Sequence, residues 1–436
     1  MTLTLFQVLA LRKSYIPKLT SKLEIRNCFK VTVSSQSILE LSSLRSIYMY
    51  NISNLVLQEE AFSWGSTELM DVYTNLGINI TIENATMEVV PSYAFKGQLH
   101  SIYLKNAKIG LVQSFAFSKL AGSERISLEN CDIRTVEQQA MKKFLLDFFE
   151  VQGGTIGALP SYSVIDVTVR KIVKLEKVLL QGIRSQAFRI HAPQQMRIEN
   201  CFVVSADPDA FKVSTNGPVF ISDNVFSYLG MGVFAGIHVD HKFQFHSGKQ
   251  ELVFENNTLI DFANGALTFN TSGFRPVIDR IVIKKQCSCS DVNAWTSKLV
   301  HYTTSAQPPT NMAKLMWCFK GKTDTVAGDY YAKKCTSTSA TVYIVIGAVA
   351  VALVLAVALC VLAYFLCRRR AKRYMNVPTD TNCNRHSACS GGSNHIMVVP
   401  EGKTYRETEL HVIVERAEPI TEFKLEPVRS ELVPKT

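Results

Sequence analysis

The chain has 436 residues and a formal net charge of +10 at pH 7. This length allows one large domain or roughly two to three small ones. The densest basic cluster, residues 368–373, directly follows a long apolar run, which is typical of a membrane boundary. We therefore expect no nucleic-acid partner. The alternative interpretation of the positive charge is a basic face that binds sulfated glycans.

The first segment, residues 1–22, contains an apolar stretch at residues 3–11 with no basic residue ahead of it. A secretory signal normally has such a residue in front of its apolar region. We therefore interpret residues 1–22 either as a leader or as an N-terminal cap over the repeats that follow.

One pattern of residue types then recurs ten times between residues 23 and 267, and each copy is anchored on one corner position. The residues two and four before each anchor are apolar in every copy, which predicts a short strand with one buried face. A small residue, followed by an apolar one that is most often Phe, comes ten residues after each anchor, and this constant order predicts stacked corners. The anchors, mostly about 23 residues apart, are Asn27, Asn51, Asn84, Asn106, Asn130, Gly153, Lys177, Asn200, Asp223 and Asn256.

A unit this short cannot bury its own apolar face, so the copies must stack, strand on parallel strand. The pattern predicts an all-β parallel solenoid over residues 23–286. We expect the recurrent Asn to lie at an inward corner, where its side chain would bond the backbone of the next turn and form a ladder. A β-sandwich would give no reason for the constant ten-residue offset.

Two families share features with this pattern. The first half resembles leucine-rich repeats, with Ala107 where that family usually has Asn or Cys. The second half resembles a right-handed parallel β-helix, because a second alternating stretch follows the corner at residues 187–190, 210–213 and 266–269. We favour the right-handed β-helix, with leucine-rich-repeat geometry as the alternative. The residues that carry the first resemblance are Leu99, Ile102, Leu104, Ile109, Val112, Ala116, Phe117 and Leu120, and the positions equivalent to Ala107 include Cys28, Cys131, Cys201, Asn224 and Asn257.

Two inserts, at residues 66–76 and 236–250, lengthen single loops of the regular stack. Loops on a rigid scaffold are common binding sites, and the second insert combines aromatic and polar side chains suited to a protein contact. A third metal ligand is missing there, so no metal site is predicted, and a tolerated surface insertion is the alternative. The candidate partner-binding residues are His238, Asp240, His241, Phe243, Phe245 and His246.

The cysteines form three groups. Cys28, Cys131 and Cys201 occupy one repeat position and are predicted to be buried free thiols. The second group follows the repeats, within residues 287–335. In an extracellular segment, four such cysteines imply two disulfides. Together with Trp295 and Trp317, this group resembles the cysteine cap that closes leucine-rich-repeat ectodomains. It consists of Cys287, Cys289, Cys318 and Cys335, whereas Cys360, Cys367, Cys383 and Cys389 lie in or beyond the apolar run and are expected to be reduced.

Residues 342–366 form an uncharged apolar run long enough to cross a bilayer as a helix. A stalk, residues 336–341, precedes it. Because basic residues follow it at once, residues 367–436 should be cytoplasmic and the N-terminal side extracellular. Ala348, Ala352 and Ala356 would allow two such helices to pack as a homodimer, and Cys360 and Cys367 are candidates for acylation.

Every Asn-X-Ser/Thr glycosylation sequon lies before the apolar run, which agrees with that topology. The asparagines are Asn51, Asn79, Asn84, Asn256 and Asn270. Asn79, Asn256 and Asn270 are the better candidates, because an inward ladder position would prevent Asn51 and Asn84 from carrying a glycan. Asn256 also occupies a ladder position, so the same objection applies to it in part.

The tail begins with a polar spacer at residues 376–395. Short apolar pieces follow at residues 396–399, 410–414 and 423–425, with Tyr405 between the first two. These pieces would suit docking to an intracellular scaffold. Disorder throughout the tail is the alternative.

We therefore expect a non-enzymatic, single-pass glycoprotein of the plasma membrane that binds an extracellular protein or glycan through its solenoid. The alternative is a β-helix ectoenzyme that acts on polysaccharide, which would need aligned acidic residues and a proton-abstracting base. Asp207, Asp209, Asp223 and Asp261 are scattered around the turn instead. No catalytic residue and no cofactor is predicted.

Overall fold

The computed structural model describes residues 1–4, 7–65, 77–240, 248–303, 311–321 and 323–373. The chain divides into two units, Met1–Val357 and Ala358–Thr436. The insert at residues 66–76, the tail pieces, and His241, Phe243, Phe245 and His246 of the candidate loop lie outside the described residues.

Most of the first unit consists of β-strands. In chain order they are β1 (Thr2–Thr4), β2 (Val8–Leu11), β3 (Lys22–Val33), β4 (Ser46–Leu57), β5 (Phe62–Trp64), β6 (Ile78–Val90), β7 (Phe95–Gly97), β8 (Leu99–Lys105), β9 (Lys108–Val112), β10 (Phe117–Leu120), β11 (Arg125–Val136), β12 (Met141–Leu159), β13 (Val164–Glu176), β14 (Leu179–Ile183), β15 (Phe188–His191), β16 (Gln195–Glu199), β17 (Phe202–Val203), β18 (Phe211–Thr215), β19 (Val219–Ser222), β20 (Val225–Leu229), β21 (Ile237–Val239), β22 (Gln250–Glu255), β23 (Thr258–Phe262), β24 (Leu267–Phe269), β25 (Phe274–Asp279), β26 (Ile281–Gln286), β27 (Val300–Tyr302), β28 (Met316–Lys320) and β29 (Thr323–Val326).

These strands form a parallel β-solenoid of about 11 turns. Three ribbons run along the stack, and the longest strands bend around a corner to join more than one ribbon. Ribbon A holds the strands before the anchors, from β1 and β3 to β22 and β25. Ribbon B holds the strands after them, from β2 and β3 to β23 and β26. Ribbon C holds the strands after the small residue, from β5 and β7 to β18 and β21. Three ribbons per turn are the arrangement expected of a β-helix.

The interior is filled by the predicted inward positions. Ile198, for example, is 1% exposed and lies between Leu175 and Ile221 of the neighbouring turns. Aromatic rings stack at the start of ribbon C, with centroids 5.3 Å apart from Phe62 to Phe95 and again from Phe188 to Phe211. The small-then-large corner pattern therefore predicted this stacking correctly.

Met141 and Val164 occupy the stacking position between two series of rings, one that ends at Phe117 and one that begins at Phe188. Neither side chain fills the volume of a phenyl ring. An apolar cavity of about 40 Å³ lies at this level of the core, and its lining includes Phe117, Phe149 and Phe188.

The anchor residues adopt the left-handed backbone conformation. All ten have φ between 49° and 69°, and the residues nine positions later have φ between 52° and 67°. Asn reaches this region at lower cost than other residues with a Cβ atom. The recurrent Asn is thus explained by two sharp corners per turn.

The prediction that these asparagines face inward is wrong. Asn27, Asn51, Asn106 and Asn200 are exposed. A ladder does exist, but it runs along the outside: Asn51 Nδ2 donates to Asn27 Oδ1 at 2.8 Å, and Asn106 Nδ2 donates to Asn84 Oδ1 at 3.0 Å.

An inward Asn ladder occupies the next position instead. Asn224 and Asn257 are fully buried. Asn224 accepts from the backbone N–H of Cys201 at 2.8 Å and donates to Ile198 O at 2.8 Å. Asn257 accepts from the backbone N–H of Asn224 at 3.0 Å. These bonds replace the water that the buried amides have lost.

The structure also corrects the count of turns and the bounds of one insert. A further turn is anchored at Arg280, with φ 42°, because β25 pairs with β22 in the same register. In the insert predicted at residues 236–250, Ile237–Val239 is a ribbon C strand that pairs with β18, and Gln250 begins β22. At the other end, β1 and β2 both pair with β3, which places residues of the segment 1–22 on the stack.

The stack is followed by a small cap and a long helix. Helix α1 (Cys289–Lys298) is N-capped by the Ser288 side chain, which accepts from Asp291 N, and it buries Val292 and Trp295. Helices α2 (Met312–Leu315) and α3 (Ala327–Lys334) complete the cap. Helix α4 (Thr336–Arg373) contains the predicted stalk as helix, and its part Val342–Arg370 is long and apolar enough to cross a membrane.

The register can be tested by placing a charge on either face of ribbon A. Replacing Ile198 by Asp would bury an unpaired carboxylate and should destabilise the full-length protein by about 3–5 kcal/mol. Phe220 occupies an outward position one turn along, with its ring 4.9 Å from the Arg197 guanidinium. Phe220→Asp should therefore cost less than about 1 kcal/mol. Equal melting temperatures for the two variants would contradict this register.

The corners can be tested at Asn200, where φ is 56°. Asn200→Val should lower stability by about 1–2 kcal/mol, because a β-branched side chain crowds the backbone in the left-handed region. Asn200→Gly, which needs no such strain, is the control and should melt within a few degrees of the wild type. A valine variant as stable as the glycine variant would exclude corner strain as the reason for the asparagine.

Candidate functional site: the outer faces of the solenoid

The described part of the second insert does not assemble a reactive centre. His238 lies on β21, half-buried, with Nδ1 3.1 Å from Gly236 O. Asp240 follows the strand and accepts from Ser214 Oγ at 3.4 Å. Nearby, burial first and then Arg189 lower the pKa of His191, which favours the neutral imidazole.

Metal coordination needs at least three side chains that converge. Within the described ranges, no three His, Cys, Asp or Glu side chains come together in this way. The structure therefore offers no ligand set through which a metal function could be argued.

The cysteine group after the repeats is fully paired. Cys287 is bonded to Cys318 and Cys289 to Cys335, with Cα atoms 5.4 Å and 5.7 Å apart. This confirms that the four residues form two disulfides, and it supplies the pairing that spacing alone did not. The bonds tie the end of β26 to β28 and the start of α1 to the end of α3.

The thiols in the stack are free and buried, as predicted for Cys28, Cys131 and Cys201. Burial raises the pKa of Cys131 and of Cys201 to about 11. Each Sγ also donates weakly to a backbone carbonyl, as Cys201 does to Glu199 O at 3.4 Å. Such thiols are poor nucleophiles at neutral pH.

The structure changes the ranking of the sequon asparagines. Asn51 is exposed and Asn84 half-buried, so an inward side chain is no reason to exclude either. Asn51 and Asn256 do use Nδ2, the atom that would carry a glycan, in ladder bonds. Asn270 accepts from Ser272 through Oδ1, and its Nδ2 makes no hydrogen bond to a described residue.

Along α4, Ala348, Ala352 and Ala356 are exposed at four-residue spacing. Cys360 and Cys367 are exposed free thiols. Homodimer formation and acylation stay predictions at these positions.

A charged groove on ribbon B escaped the sequence analysis. It is open, with a volume of about 630 Å³, and lies across turns three to six. Thr86, Lys108, Asp132 and Thr155 follow one another in register across four neighbouring strands. The side chains that line it include Thr86, Glu88, Lys108, Asp132, Arg134 and Thr155.

Two glycines open this part of the ribbon surface. A Cβ atom at Gly110 would lie 2.5 Å from Glu88 O, and one at Gly157 would lie 2.0 Å from Arg134 O. Both positions therefore need glycine because adjacent backbones approach closely there. Gly110 separates Glu88 from Arg134 along the stack, which leaves a gap between two charged side chains.

The four charged side chains of the groove are exposed and unpaired. Glu88, Lys108, Asp132 and Arg134 form no ion pair with another described residue, although Lys108 and Asp132 are cross-strand neighbours. Ribbon A behaves differently, since Lys105 pairs with Glu129 at 3.1 Å. The available sequence signal for this site was a glycine four residues after the anchors Asn106 and Gly153.

No protein-family model matches the chain. No curated protein matches it in sequence.

Accessibility of the thiols gives a test of the cysteine assignments. In the native protein, iodoacetamide at pH 7.5 should leave Cys131 and Cys201 unlabelled. Denaturant without reductant should expose Cys28, Cys131 and Cys201 to labelling, whereas the four cap cysteines should need a reductant as well. Mass spectrometry that finds a labelled cap cysteine without reductant would refute the assigned disulfides.

Proposed function

We propose that the protein is a non-enzymatic, single-pass cell-surface glycoprotein that binds an extracellular partner protein through the charged groove of ribbon B. The observation that carries the proposal is the set of four exposed charges around a gap in an otherwise regular surface, none of which forms an ion pair with another described residue. Unpaired charges of both signs at fixed spacing suit a folded partner with a complementary pattern, because charge complementarity provides specificity.

The location is supported by three features. Residues 342–366 of helix α4 are apolar and uncharged and are followed by the basic residues of 368–373, which favours a cytoplasmic C-terminal side. The two disulfides lie before that helix and belong in an oxidising compartment. All five sequons lie on the same side.

A binding role is favoured over the alternative, an ectoenzyme acting on polysaccharide. Such an enzyme would need carboxylates brought together across adjacent turns. Among the described residues no three acidic side chains converge. The carboxylates of the groove alternate with Lys108 and Arg134 instead.

Contact between the tail and an intracellular scaffold is a further part of the proposal. The apolar pieces of the tail lie outside the described residues, so the support for this contact is the sequence pattern alone. The groove can be tested without it.

We expect exchange of two groove charges to abolish partner binding. The double variant Asp132→Arg, Arg134→Asp keeps net charge and composition but inverts the pattern, and like charges facing each other cost several kcal/mol. Full-length protein on intact cells should first be detected by surface biotinylation. Proximity labelling should then show that the variant loses about tenfold or more of the neighbours captured by the wild type.

The control is the exchange Lys13→Glu, Glu40→Lys, which swaps an exposed pair 2.9 Å apart and should leave the captured neighbours unchanged. Absence of surface labelling for the wild type would refute the location. Equal neighbour profiles for the groove variant and the wild type would refute the groove as the contact.

A further inference from the structure

Ribbon C carries a second charged feature, which we call the lysine strip: Lys96, Lys119, Lys142 and Lys143. Phe95 and Met141 both pair with Phe117, and Ser118 pairs with Lys142, so Lys96 and Lys142 lie on the two strands that flank β10 in turns three to five. Lys119 and Lys143 come next along their strands, with φ 52° and 55°, and both are exposed. Four ammonium groups therefore lie on one face within three successive turns.

The strip is largely unneutralised. Lys96 pairs with Glu60 at 2.6 Å. Hydrogen bonds from Gln36 and then Lys96 lower the pKa of Glu60, so this carboxylate stays ionised. Lys119, Lys142 and Lys143 take part in no ion pair among the described residues, although Asp166 lies opposite Lys143 on the neighbouring strand, where it pairs with Arg189.

Two aromatic rings underlie the strip. Tyr93 and Phe115 stack with centroids 5.7 Å apart and planes 7° apart. The Lys96 and Lys119 ammonium groups lie 5.6 Å and 6.0 Å from the Tyr93 centroid. That of Lys142 lies 5.2 Å from the Phe115 centroid. The rings attract the cations and present flat, half-buried faces beside them.

Lysines concentrated on neighbouring strands repel one another and reduce stability. A bound polyanion would screen that repulsion, and the release of its own counterions would favour binding. Because the turns repeat at about 4.8 Å, an extended chain lying along the stack would meet cations at regular intervals. The shape and charge of the strip therefore suit a linear polyanion.

We propose that the lysine strip binds a sulfated polysaccharide. The ammonium group of lysine is a compact point charge that attracts the oxygens of a sulfate group. The flat rings suit the faces of sugar units.

The surroundings of the strip disfavour a peptide. Strands β7 and β10 are paired on both sides within ribbon C, so no edge is free for strand addition. A helical peptide would need an apolar groove, whereas the surface of the strip is formed by lysines, with Ser118 buried between them. The inference concerns a site other than the groove and rests on the proposed function only for its extracellular location.

The test measures binding of detergent-solubilised, full-length protein to immobilised heparin at about 0.15 M salt. The triple variant Lys119→Gln, Lys142→Gln, Lys143→Gln should bind about tenfold more weakly than the wild type and with a shallower salt dependence. Glutamine is compatible with the two left-handed positions, since Gln36, Gln139 and Gln186 already have φ 53°, 58° and 53° in this solenoid.

A matched variant, Lys18→Gln, Lys249→Gln, Lys320→Gln, removes three exposed lysines that form no ion pair with a described residue. It should bind within about twofold of the wild type, which separates the strip from net charge. Desulfated heparin and polyglutamate should both bind much more weakly than heparin.

Two outcomes would overturn the proposal: equal losses in the two triple variants, or polyglutamate or desulfated heparin binding as tightly as heparin. Thermal melting of each variant shows whether it has folded. If the triple variant of the strip does not fold, heparin binding of the single variant Lys143→Gln is compared with that of Lys249→Gln instead. The proposed function is tested separately, by surface biotinylation and by the groove exchange. A negative heparin assay would therefore contradict only the proposal for the lysine strip.

Discussion

Every turn of this protein depends on its neighbours to bury its apolar side chains. A unit of about 23 residues has no interior of its own, so Ile198 is buried because Leu175 and Ile221 lie above and below it. This constraint explains why two inward positions are apolar in all ten predicted copies. It also means that recognition must use outward side chains, because the inward ones are needed for packing.

The same constraint made much of the fold predictable from sequence. Alternation around each anchor predicted ribbon A, and the small residue before Phe predicted the stacked start of ribbon C. The environment of the asparagines was not predictable in this way, because left-handed corners and inward ladders both favour Asn. The segment 277–283 was expected only as a closing strand and not as a full turn, because a large cation, Arg280, replaces Asn there. Strand β21 was assigned to a loop because the anchors Asp223 and Asn256 are 33 residues apart, which predicted an insert between them.

The candidate sites were less predictable, for a physical reason. Whether a surface charge is paired depends on lateral register between turns and on rotamers, and neither can be read from spacing along the chain. Lys105 and Lys108 are three residues apart, yet the first pairs with Glu129 and the second lies unpaired in the groove. Neighbouring parts of the surface therefore differ in charge: the groove on ribbon B carries both signs with no ion pair among the described residues, whereas Lys285 pairs with Asp261 further along the same ribbon, and the lysine strip of ribbon C is mainly positive.

The groove and the internal cavity share one wall. Ile109 and Ile133 line both of them, and the cavity lies where Met141 and Val164 interrupt the stacked rings. An apolar side chain beside a void lacks packing partners on that side and loses dispersion attraction there. Gly110 and Gly157 also leave the outer surface of the same strands without side chains. Beneath the groove, ribbon B thus has fewer packing partners on its inner side than a ribbon has where the rings stack without interruption, while its backbones stay closely packed at the two glycines.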